Sequence, residues 1–134
     1  MPKLTKSLFR DNFFVIAIGI TISIAYLSLM KMPKVEVNIS NIDKFYHSFA
    51  YFTLSFCWLF SFYKKPNLKK IIVISCISYG IIIEVLQDTL TLYRTGDFRD
   101  VLANTVGIVL GLFVYNQILK KFNHNLEQGL CLNQ

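Results

Sequence analysis

Four long apolar stretches set the frame, because a run of about 18 or more such residues with few charges is long enough, as a helix, to cross a bilayer core. They cover about residues 13–30, 46–63, 71–87 and 101–119. Little chain is left for a soluble domain: 54% of the 134 residues are hydrophobic and only 16% charged, against roughly 45–50% apolar in soluble proteins. The expected fold is all-α, a four-helix transmembrane bundle spanning residues 1–121, followed by a polar tail over 122–134. The first stretch reads as a retained anchor, since it is longer than the usual h-region of a secretory signal and "SIAYLSLMKMP" offers no A-x-A cleavage site.

Basic residues orient the bundle, because short cytoplasmic loops retain positive charge. Lys3, Lys6, Arg10, Lys64, Lys65, Lys69, Lys70, Lys120 and Lys121 fall on one side, and Lys31, Lys34, Lys44, Arg94 and Arg99 on the other. Acids show the reverse bias: Glu36, Asp43, Glu84, Asp88, Asp97 and Asp100 share the side poorer in bases. Both termini are therefore expected in the cytoplasm. The formal charge of +6 is an orientation signal, and no nucleic-acid partner is implied by it.

The polar residues inside the apolar stretches are the informative ones. Asp43, His47 and Tyr51 recur at i and i+4 on the second helix; Glu84, Gln87 and Asp88 stack on the third; Asp97, Asp100 and Asn104 follow one face of the fourth. With alternating helix directions, His47, Glu84 and Asn104 each lie about one turn inside the outer end, so they share a depth. A charged side chain facing lipid at mid-helix costs about 2.5–3.5 kcal/mol even on a lenient insertion scale. Glu84 should therefore face Lys44, His47 or Arg94, or carry a proton. Plainer roles stand beside these: Asp97 and Asp100 as N-terminal caps of the fourth helix, Lys44 and Arg99 as interfacial anchors, Gln87 as a hydrogen bond to a loop, His47 with Glu84 as an inert bridge. Gly107 and Gly111 form a G-x-x-x-G that permits close helix approach, within the bundle in preference to dimerisation.

Cofactor chemistry is thinly signalled. Only one other histidine, His124, accompanies His47, and it lies in the tail, so no bis-histidine haem fits within the core. Cys57 lies about 15 Å along the helix from His47, and Cys76 about 12 Å from Glu84, which separates the thiols from the polar level and leaves them as small buried hydrophobes. No cofactor is expected; oxygen donors from Asp43, Glu84, Asp97 and Asp100 admit a divalent cation, although their spacing does not demand one.

"DKFYHSFAYFTL" followed by "IIEVLQDTLTLYRTGDFRDVLANTVGIVLG" resembles the VanZ-like family, whose members carry D-K-x-x-H-x-x-x-Y, then E-x-x-Q, then R-x-x-D-x-x-D-x-x-x-N-x-x-G-x-x-x-G. Asp43, Lys44, His47, Tyr51, Glu84, Gln87, Arg94, Asp97, Asp100, Asn104, Gly107 and Gly111 occupy those positions. The resemblance implies a small multi-pass protein of the bacterial inner membrane, acting on the cell envelope; the family's namesake is associated with lowered teicoplanin susceptibility, a glycopeptide-resistance trait. Two uses of the site stay open. In one, Asp43, Lys44, Tyr51, Gln87 and Asn104 bind a lipid or a lipid-linked envelope precursor. In the other, His47, Glu84, Arg94, Asp97 and Asp100 perform acid/base or metal-assisted transfer or hydrolysis. A structural or assembly role is the third alternative.

Overall fold

A computed structural model describes the backbone of residues 2–30, 40–91 and 97–131, and the side chains of residues 12–30, 42–91 and 97–125. It is all-helical over those residues: α1 (Pro2–Leu29), α2 (Ser40–Ser61), a 3₁₀ turn (Pro66–Leu68), α3 (Lys69–Leu90) and α4 (Phe98–Cys131). α1, α3 and α4 are long and apolar enough to cross a membrane, over Asn12–Leu29, Pro66–Leu90 and Phe98–Asn125.

α2 departs from the expectation of four apolar spans, since three helices meet that description among the described residues. It begins at Ser40, takes in Asn41, Asp43, Lys44 and His47, and does not reach the apolarity of the other three. Packing accounts for this. α2 contacts α1, α3 and α4, and Tyr51, Leu54, Ser55, Cys57, Leu59 and Ser61 are all buried in the bundle. A helix shielded by its neighbours can carry hydroxyls that bond back to its own carbonyls, as Ser61 does to Cys57 at 2.7 Å.

The other helices bury one stripe each. Ala17, Ile24 and Ser28 line the inner face of α1; Cys76, Gly80, Ile83, Glu84 and Gln87 that of α3; Asn104, Ile108 and Tyr115 that of α4. Such three- and four-residue spacing keeps one face turned inward. Ile16, Ile22, Ile74, Ile82, Val106 and Val109 stay exposed on the opposite faces, where acyl chains would cover them.

α2 and α4 make the most extensive contact in the bundle, and two glycines permit it. A Cβ at Gly107 would overlap the Ser48 carbonyl, and one at Gly111 would overlap Ser55 Oγ and lie 2.9 Å from the Phe52 carbonyl oxygen. Ser55 Oγ–H donates to the Phe52 carbonyl at 3.1 Å and approaches that of Ile108 at 3.4 Å. The G-x-x-x-G pair thus works inside the bundle. Phe60, stacked on Phe13 and edge-on to Tyr115, joins α1, α2 and α4 at the opposite end from His47.

α4 also runs further than expected: the segment from residue 122, read as a tail, continues the helix to Cys131. Its polarity alone suggests irregular structure, yet it holds no proline, and its first glycine is Gly129, so the helix has no strong local reason to stop.

Gly107→Leu and Gly111→Leu are expected to lower stability in detergent by about 1–3 kcal/mol or more, read by helical circular dichroism during unfolding. Gly19→Ala, with nothing near its added Cβ, is the matched control and should unfold as the wild type does.

Candidate functional site

The convergence anticipated from helix directions is present. His47 lies on the inner side of α2, and its Nδ1–H donates to Asn104 Oδ1 of α4 at 3.2 Å. The same nitrogen is 3.9 Å from Glu84 Oε1 of α3, and the opposite nitrogen, Nε2, is 4.0 Å from Asp43 Oδ1. One imidazole therefore links three helices. Its side chain is 12% exposed and that of Glu84 6%, whereas Asp43 stands open at 52%, so the group is sealed below and accessible above. Placing the buried carboxylate against the histidine reduces the large cost of taking a lone charge from water.

Beneath His47 the polar group continues into the core. Tyr51, one turn further along α2, is 1% exposed, and Asn104 2%. The Tyr51 hydroxyl and Asn104 Nδ2 have no hydrogen-bond partner among the described residues. Both lie against Gly80 of α3, where a Cβ would sit 3.1 Å from Tyr51 Cε1 and 3.5 Å from Asn104 Nδ2. Gly80 is a site residue that the sequence analysis missed. Its position four residues before Glu84, on the same face of α3, was the available signal.

At the rim, Asp100 is half-buried among His47, Asp43, Asp97 and Lys44. Asp43, His47 and Asp100 each present a donor atom within 4.8 Å of the others. Asp97 is set apart from that trio: its carboxylate accepts the backbone N–H of Arg99 at 2.9 Å, and its carbonyl that of Asp100 at 2.8 Å, which is capping geometry for α4. The oxygen-only set of Asp43, Glu84, Asp97 and Asp100 is thereby replaced, as a tight group, by two carboxylates and an imidazole.

The polar stripe expected on α3 fans out. Gln87 is buried, but its Nε2–H donates to the Ser28 carbonyl of α1 at 3.0 Å, and Asp88 is exposed. Three residues along a helix turn by about 300°, so Gln87 is offset from Glu84 by roughly 60° and meets α1 while Glu84 meets α2. Arg99 is exposed. Arg94, grouped above with the acid/base candidates, lies outside the described residues.

Below this level an open cavity of about 380 Å³ lies among α1, α2 and α3, lined by Thr21, Leu54, Trp58, Phe62, Cys76 and Tyr79 among others. Thr21 organises its wall: Trp58 Nε1–H donates to its hydroxyl at 3.2 Å and the Tyr79 hydroxyl to its carbonyl at 2.6 Å.

The VanZ/LLP1 family model matches residues 5–120, a span containing all these site residues. The chain belongs to the VanZ-like family. A relative in fission yeast, Schizosaccharomyces pombe, an uncharacterized protein, is 31% identical over 116 residues, covering 85% of this chain and 68% of the yeast protein. No solved structure matches the chain.

Because Asn104 Oδ1 can only accept, the His47 contact specifies the Nδ1–H tautomer. Nitrogen-15 NMR in mildly alkaline buffer checks this, since the chain has 2 histidines. The His47 signals are expected to report Nδ1–H in the wild type and to move toward Nε2–H in Asn104→Ala, with His124 unchanged.

Proposed function

We propose that this VanZ-like protein binds the polar headgroup of a membrane lipid, or of a lipid-linked envelope precursor, at the extracytoplasmic end of its bundle. The carrying observation is the relation between the polar group and the cavity. The apolar lining that includes Leu54 and Tyr79 lies within about two turns of His47 along α2 and of Glu84 along α3. A polar site at the rim with an apolar cavity deeper in the same bundle suits an amphiphile, its headgroup at the one and its acyl chain toward the other. Lys44, with Arg94 and Arg99, supplies positive charge for a phosphate or carboxylate.

The charge bias of the loops supports the outward orientation, with both termini in the cytoplasm. A reporter fused after Gln134 is expected to register on the cytoplasmic side. The relative in a eukaryote supports a lipid as the shared ligand over a molecule peculiar to one type of cell wall. Any effect on glycopeptide susceptibility would follow from the envelope lipid that is bound.

The 3.9 Å approach of His47 to Glu84 supports a second reading, in which the pair performs acid/base chemistry on the bound molecule. One experiment separates the two. Wild type, His47→Ala and Glu84→Gln are extracted in mild detergent, and their retained lipids are measured by mass spectrometry. Binding predicts at least a tenfold loss of one lipid class in both variants, with helicity and monodispersity unchanged. Catalysis predicts that the variants hold a lipid that the wild type converts. Identical lipid profiles in all three proteins would contradict both.

A further inference from the structure

We infer that Asp43, His47 and Asp100 form a binding site for one divalent transition-metal ion, of the manganese or zinc class, at the outer rim of the bundle. Each offers one donor atom within 4.8 Å of the others. Donors on a common ion with bonds of about 2.0–2.2 Å stand roughly 3.4 Å apart in tetrahedral geometry, so a modest closure is required. Asp43, at 52% exposed, is the least buried of the three.

Asn104 makes this more than two neighbouring acids. It is 2% exposed and accepts the Nδ1–H of His47 at 3.2 Å, with Glu84 Oε1 on the same side of the ring at 3.9 Å. The one hydrogen bond at Nδ1, to Asn104 Oδ1, holds the proton there and leaves Nε2 on the side of Asp43. A histidine that donates from one nitrogen to a buried acceptor and presents the other among carboxylates has the orientation that protein groups around a metal impose on their ligands. Asn104 Nδ2 and the buried Tyr51 hydroxyl, one turn further along α2 from His47, have no hydrogen-bond partner among the described residues. The acidic rim points the same way: alone it repels an anion, and a cation turns it into a surface that attracts one. An imidazole with two carboxylates favours manganese or zinc over magnesium, which prefers oxygen ligands and retains its waters. Three protein ligands leave coordination positions open to water or to an oxygen of a bound molecule.

The site is tested without added lipid, so its failure would leave the headgroup reading standing. Chelator-stripped protein, free of any affinity tag and carrying His124→Ala, is titrated with manganese and followed by electron paramagnetic resonance, with zinc by calorimetry as the second probe. One ion per chain is expected. Asp43→Asn and Asp100→Asn should each weaken binding at least tenfold, and Asn104→Ala should weaken it about 10–100-fold although it removes no ligand. Helicity and monodispersity identify any variant that fails to fold. Affinity left unchanged by both aspartate substitutions, or no binding at millimolar metal to folded protein, would overturn the proposal.

Discussion

The approach of α4 to α2 at Gly107 and Gly111 is the constraint from which the rest of the arrangement follows. Between apolar helices in lipid there is no hydrophobic gain to draw them together, so association depends on close packing and interhelical hydrogen bonds. Removing two side chains lets the backbone of α4 rest against Ser48, Phe52 and Ser55. That contact fixes where Asn104, one turn before Gly107, arrives relative to His47, one residue before Ser48. The same seam therefore serves stability and places the site.

A division of labour follows along the bundle. Toward the cytoplasmic end proposed here, the aromatic contacts of Phe13, Phe60 and Tyr115 bind α1, α2 and α4 together. In the middle, Thr21 receives hydrogen bonds from Trp58 and Tyr79 and gives the cavity a defined wall. Toward the other end, polar side chains replace apolar ones, and Gly80 withdraws a side chain where Tyr51 and Asn104 need space. A buried polar group of this kind adds little to stability when apolar packing is the alternative. Its concentration at a single level, open above and sealed below, is what a binding function requires.

The sequence made the helices, their antiparallel order and the common depth of His47, Glu84 and Asn104 legible, because a fixed rise per residue turns sequence position into height. Azimuth was harder to read. Gln87 and Glu84 share a stripe to first approximation, but a 60° offset sends one to Ser28 and the other to His47. Apolarity alone is an incomplete guide in two places. The second stretch qualifies as a span by length, yet its protected position lets α2 be more polar than its neighbours; the residues from 122 read as a polar tail, whereas a polar helix continues there. Gly80 is legible in the sequence only as a neighbour of Glu84 on one face of α3; that it makes room for a tyrosine and an asparagine emerges only from the residues packed against it.

The account depends on His47 and Asn104 being direct partners across α2 and α4, and a double-mutant cycle on unfolding in detergent measures that partnership most directly. His47→Ala, Asn104→Ala and the double variant are compared with the wild type. A coupling of about 0.6 kcal/mol or more is expected, the usual size for a hydrogen bond between membrane helices. Effects that add to within about 0.3 kcal/mol would mean that the two side chains do not meet, and would contradict the site as described.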